Sequence, residues 1–193
     1  MKRIFASIAT AVLIGAAVVG CGSSSDDTSS PAETPSAPAT SASAPASSAT
    51  PTGEATLTEE NGLLVDTDKD ANVIEGAGFD ITIDPEAKTA TFQQIDPASG
   101  EEFQNVDVFG YENGVFRRTI YVSAMGVTYV YYADLATGEL QSIQNAAGED
   151  VSEAAREQGH WDSAASGTQT ERENIESYFE ARYGMTIAEA VGA

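Results

Sequence analysis

The chain has 193 residues, with nine basic side chains against 30 acidic ones, a net charge of −21. That balance excludes nucleic acid as a partner, because holding phosphates needs clustered Lys and Arg. It also disfavours close contact of the chain's soluble part with an anionic bilayer.

The first predicted element is an apolar run. Met1-Lys2-Arg3 gives a positive start, and Ile4 to Gly20 follow without a charge, rich in Ala, Val and Ile. This is the pattern of a secretory signal peptide. At 17 residues the run is at the short edge of a membrane-spanning helix. No basic cluster follows it to stop transfer; Gly22-Ser23-Ser24-Ser25-Asp26-Asp27 follows instead. The run ends in Val18-Val19-Gly20-Cys21, and Cys21 is the only cysteine of the chain. These four residues resemble the lipobox of bacterial lipoproteins, with Val18 where Leu is commoner. The resemblance implies cleavage between Gly20 and Cys21 and a diacylglycerol on the Cys21 thiol. It also implies acylation of the new amine and a place on the outer face of the cell membrane. Loss of Lys2 and Arg3 would leave seven basic against 30 acidic side chains, a net −23.

Residues 22–56 are mostly Ser, Ala, Thr and Pro, hold five of the seven prolines and contain no large apolar side chain. Such a segment cannot bury enough surface to offset the entropy of ordering, so it is expected to be a disordered spacer. As a flexible coil it would reach roughly 30–35 Å, and proline stiffening would lengthen that. Its composition also suits O-glycosylation. Anchor and spacer together resemble lipoproteins of Gram-positive actinobacteria.

Residues 57–193 are expected to form one domain of 137 residues, enough for a single packed core. With Cys21 lipidated no disulfide is available, so the fold must rest on apolar burial and hydrogen bonds. The domain opens on Asp66-Thr67-Asp68-Lys69-Asp70-Ala71-Asn72. Acids at the first, third and fifth positions, with an oxygen-bearing residue at the seventh, resemble the start of a calcium loop, and alternate carboxylates can converge on one hard cation. Asp66, Asp68 and Asp70 are therefore the candidate metal ligands. The pattern departs from an EF-hand at Ala71, where Gly is expected, and at Ala77, where a bidentate Glu is expected.

Turn signals then recur: Asp84-Pro85-Glu86, Asp96-Pro97-Ala98-Ser99-Gly100, Glu112-Asn113-Gly114, Met125-Gly126 and Asp134-Leu135-Ala136-Thr137-Gly138. Between them, stretches rich in β-branched and aromatic residues predict six strands, near 78–83, 88–95, 102–109, 115–124, 127–133 and 139–144. Phe79, Ile81 and Ile83 alternate with Asp80, Thr82 and Asp84, a half-buried pattern. Short connections imply an antiparallel meander. Later strands carry apolar groups on both faces, which predicts a sheet covered on each side or a barrel wall. Arg118 shares a face with Phe116, Ile120 and Val122 and is expected to pair with a carboxylate or mark the sheet rim, with an anionic ligand as the alternative. The aromatic hairpin offers Tyr129, Tyr131 and Tyr132 as a contact surface. Asp96–Glu101 and Asp134–Glu139 share a pattern. The second resembles both the Ala-Asp-x-x-Thr-Gly turn of quinoprotein-type propeller blades and the closing hairpin of PepSY domains. The domain is too short for a propeller. The turn chemistry alone accounts for the pattern: Asp bonds backbone N–H groups and Gly supplies positive φ.

Three helical segments are predicted last. Asp150-Val151-Ser152-Glu153 reads as a capping box with Gly159 as its stop. Thr170-Glu171-Arg172-Glu173 opens a helix ending at Gly184, and Thr186-Ile187-Ala188-Glu189 starts a short final turn. Ile175, Tyr178, Phe179 and Tyr183 share one helix face and are expected to pack on the sheet. The expected class is α+β, an antiparallel meander of about six strands followed by C-terminal helices.

Catalytic signals are sparse. His160 is the only histidine and stands beside the only tryptophan, Trp161. There is no G-x-S-x-G, no H-E-x-x-H and no phosphate-cradling glycine loop. No cofactor and no enzymatic activity are expected. The expected role is a lipid-anchored extracytoplasmic module that binds or assists an envelope protein or small ligand. A calcium-binding surface lipoprotein and a carrier of a small apolar ligand are the alternatives.

Overall fold

The computed structural model describes residue 53 and residues 55–193. Gly20, Cys21 and nearly all of the spacer lie outside the described residues.

Eight strands follow one another: β1 (Thr58–Glu60), β2 (Leu63–Asp68), β3 (Gly78–Asp84), β4 (Thr89–Ile95), β5 (Glu102–Gly110), β6 (Val115–Val122), β7 (Val127–Asp134) and β8 (Leu140–Asn145). They form one antiparallel sheet in chain order. Three helices follow: α1 (Ser152–Glu157), α2 (Trp161–Tyr183) and α3 (Ile187–Val191). The α+β meander is as expected, and the six predicted strands stand within about two residues of their places. Strands β1 and β2 are additional to them. In β2, Asp66 and Asp68 occupy inward positions where alternation calls for apolar residues, so the segment resembles a loop. At Gly78 the chain needs a glycine for want of space. A Cβ there would lie 2.6 Å from the Asp68 carbonyl oxygen, inside contact distance.

The register places Leu64, Ile83, Ala90, Phe109, Phe116 and Ala133 in one row across the inner face. Asp66, Ile81, Phe92, Asp107, Arg118, Tyr131 and Ile143 form the next. The first row and the apolar start of the second pack on Ile175, Phe179 and Tyr183 of α2 and on Ile187 and Val191 of α3. Phe79, Phe92, Phe109 and Phe116 run edge to face or tilted through this core, and Phe92 meets Phe179 at 6.0 Å. Such pairs add about 0.5–1.5 kcal/mol each beyond area burial. The expected stripe is therefore the sheet-facing side of α2, with Ile175, Phe179 and Tyr183 buried and Tyr178 partly buried against Phe79.

The second sheet face is not sealed. Its outward side chains Val65, Val106, Val108, Val115 and Val130 are half-buried and none is fully buried. This departs from the expectation of a sheet covered on each side; neighbouring Thr and Tyr side chains share the outward rows instead.

Both sheet edges are blunted. β1 has three exposed residues, two of them Glu, which discourages pairing with another chain. Along β8, the Val151 N–H bonds the Ile143 carbonyl at 2.8 Å, and the Ile143 N–H donates to Ser152 Oγ at 2.9 Å. Ser152 is thus committed to the sheet edge. The expected capping box at Asp150 is absent: the α1 N-cap is Val151, which makes no side-chain cap, while Asp150 accepts from the Ser152 N–H. The box expected at Thr170 is also absent, since α2 runs unbroken from Trp161. The residues preceding Thr170, Ser163 to Gly167, lack the apolar period that marks a helix in sequence. The short final turn is helix α3, which opens on a capping box with Thr186 and Glu189 bonded reciprocally, and Gly184 closes α2 at φ 69°. Lys88 Nζ donates to the Val191 and Gly192 carbonyls at 2.9 and 2.7 Å, fixing the end of α3 to the β3–β4 turn.

Candidate functional site

Inward carboxylates at one edge of the sheet meet the C-terminal half of α2. Asp66 Oδ2 accepts from Tyr183 OH at 2.7 Å and from Arg182 Nη2 at 3.0 Å. Asp68 Oδ2 accepts from Tyr178 OH at 2.7 Å and lies 2.8 Å from Arg182 Nη1. Burial, together with the bond to a carboxylate, pushes both phenols well above their ordinary range. Asp68 Oδ1 receives the backbone N–H of Asp70 at 3.0 Å, and Asp70 itself is exposed. Of the three candidate metal ligands, Asp66 and Asp68 converge on Arg182 and two tyrosines rather than on a shared cation position, and Asp70 does not join them. Among the described residues no group of three or more His, Cys, Asp or Glu is placed to hold a metal.

Arg118 finds the carboxylates that its inward position demanded. Its Nε lies 3.8 Å from Asp107 of β5 and its Nη2 lies 3.3 Å from Glu171 of α2. Its Nη1 donates to the Gly167 carbonyl at 2.8 Å. Asp107 is wholly buried. Burial pushes its carboxyl up to about 7, against the pull of Arg118 and with the help of Glu171. Burial raises Glu171 as well, again opposed by Arg118. Both Asp107 oxygens, Arg118 Nε and Glu171 Oε1 are buried without a hydrogen-bond partner. The cluster sits along α2 between two unlike halves: Ile175, Phe179 and Tyr183 fill the core on one side, and Ala164 faces a groove on the other.

That groove has a volume of about 1060 Å³ and is open to solvent. Tyr129, Tyr131 and Ile143 make its floor, and the helical wall carries Val151, Ala155 and Ala164, all at least half-buried. Gln104, Gln158, His160 and Ser163 line it with exposed side chains, at its rim. Met125, at the tip of the β6–β7 hairpin, also borders it and is 62% exposed. The space exists because the helical wall is built of small residues, where the other half of α2 is large. Among the described residues no Asp, Glu, Lys or Arg lines it. Burial raises the Tyr131 phenol, partly offset by Arg118, so its hydroxyl stays a neutral donor.

The structure divides the three candidate contact tyrosines. Tyr129 and Tyr131 face the groove, whereas Tyr132 points to the opposite face, its hydroxyl 3.4 Å from Gln144 Oε1. His160 is exposed at the groove rim, outside any catalytic constellation among the described residues. A smaller pocket of about 390 Å³ lies nearby, where the Arg156 guanidinium stacks 3.5 Å from the Trp161 ring centre.

The groove was not legible in sequence as a site. Its traces were Tyr129 and Tyr131, read only as a contact surface, and the change along α2 from Ser163-Ala164-Ala165-Ser166-Gly167 to the bulky positions after Ile175. Comparison with protein-family profiles, curated proteins and solved structures finds no match to this chain.

Proposed function

We propose that this protein is a lipid-anchored, extracytoplasmic binding module without catalytic activity, and that its binding site is the groove between the β6–β8 end of the sheet and the α1–α2 segment. The anchor rests on the Val18-Val19-Gly20-Cys21 sequence. The observation that carries the site is a tyrosine-floored concavity of about 1060 Å³, at the upper end of the range for small-ligand sites. A solid core under both halves of α2 would have favoured a module acting only through its outer surface. The groove favours a small ligand over a protein partner.

Tethering supplies the mechanism. Two acyl chains hold stably at a membrane, and a spacer of some 35 residues lets the domain search the layer above it, raising its effective concentration for envelope components. Native mass spectrometry of the full-length protein, released from membrane in mild detergent, tests the site. The reading expects a co-purified small mass that is lost in Ala154→Trp, a bulky replacement at an exposed lining position of α1. A mass retained equally by both proteins contradicts it.

A further inference from the structure

We infer that the groove takes an uncharged amphiphile, with an apolar chain or ring lying on the Tyr129, Tyr131 and Ile143 floor and a hydroxyl- or amide-bearing head at the Gln104, Gln158 and Ser163 rim. This rests on the reading of the groove as the binding site and goes further by fixing the ligand's chemistry.

Charge is the first ground. Residues 57–193 carry 26 acidic and seven basic side chains, yet none of them lines a concavity bordered by twenty residues. A charged group seated on the floor would lose hydration and find no Lys, Arg, Asp or Glu there, a penalty of several kcal/mol; at the rim the side chain able to carry charge is His160, which is exposed. An anion would also meet the repulsion of a strongly acidic domain. Arg118 and Asp107 lie beyond Tyr131 in the sheet register and, with Glu171 of α2, are turned toward one another.

Polarity is the second ground. The half-buried surfaces are Tyr, Ile, Val and Ala, which reward apolar contact, at about 25 cal/mol per Å² removed from water. Gln104, Gln158, His160 and Ser163 stand at the exposed margin, while Thr128 and Asn145 add half-buried polar groups to the lining. Asn145 is not free to help, because its amide is committed to Ala147 and Glu149. An amphiphile matches this division, and an all-polar ligand does not.

Three ligands with the same oleoyl-length chain separate the possibilities: 1-monooleoylglycerol, oleate and oleylamine. Each is titrated against the full-length protein preloaded with N-phenyl-1-naphthylamine, a neutral fluorescent probe, below the critical micelle concentration. The inference expects monooleoylglycerol to displace the probe at least about ten-fold more tightly than either charged analogue, a difference of about 1.4 kcal/mol. Ala154→Trp and, separately, Ala164→Phe should each abolish probe binding with the thermal melt retained. Met185→Trp, at an exposed position away from the groove lining, should leave it unchanged. Equal or tighter displacement by oleate or oleylamine, with both groove variants still blocking, overturns the ligand class while the site stands. Probe binding that survives both groove variants, or no binding of any of these molecules, overturns the site and the inference together.

Discussion

Asp107 is a wholly buried carboxyl in the middle of the sheet. It keeps its proton in the folded state up to about pH 7, whereas an unfolded Asp loses it near 3.8. A raised carboxyl pKa means that the folded state binds the extra proton between those values. The stability Asp107 contributes is therefore complete below about pH 4 and is lost as pH rises through 7. A tenfold change in proton affinity is worth about 1.4 kcal/mol, so a loss on the order of 2–4 kcal/mol is the ceiling before relaxation and solvent penetration. Wild type should lose stability in urea melts between pH 5 and pH 8 more steeply than Asp107→Asn. Parallel curves would show that Asp107 is not the group responsible. The general repulsion of an acidic domain has the same sign, so the difference between the two proteins is the informative quantity. The position of Arg118 was legible from its place among Phe116, Ile120 and Val122. Its partners were not, because Asp107 is fixed opposite it only by the β5–β6 register and Glu171 lies on a helix whose start the sequence concealed.

At the scale of elements, the Asp-rich start of the domain illustrates how one pattern can serve two chemistries. Asp66 and Asp68 are two apart, which in a loop brings carboxylates together on a cation and in a strand points both to the same face. Here the strand geometry holds, and α2 supplies Arg182, Tyr178 and Tyr183 to meet them. Calcium would have to displace Arg182 from both carboxylates. Millimolar calcium should accordingly leave the melting temperature unchanged, and Tyr178→Phe should cost about 1–2 kcal/mol by orphaning one bond to Asp68. A rise in melting temperature with calcium, or a Tyr178→Phe protein as stable as wild type, would contradict the clamp. Turn chemistry was the most readable feature. Asp96 and Asp134 each take two backbone N–H groups and a hydroxyl on one carboxylate oxygen, as their shared sequence pattern suggested. These bonds, with the backbone N–H of Ser99 and of Thr137 foremost, hold both carboxyls below the usual range. Hairpins were legible because their determinants are local. The length of α2 was not, because Ser163 to Gly167 carry no core-facing bulk and so no period to read.

For the whole molecule, a solid half and an open half share one long helix. The core half, with α3 and the phenylalanines of β3–β6, fixes the helix to the sheet. The open half leaves a neutral concavity in a domain whose side chains sum to −19. The acidic charge was written in local composition. The groove was not, because it arises from which small residues α1 and α2 bring opposite Tyr129 and Tyr131, and that depends on the completed fold. Hydrogen–deuterium exchange of the full-length protein, with and without 1-monooleoylglycerol, tests the claim that this concavity is the binding site most directly. The account predicts protection confined to peptides spanning residues 121–131 and 143–164, with 58–84 unaffected. Protection centred on 58–84, or none anywhere at saturating ligand, would contradict it.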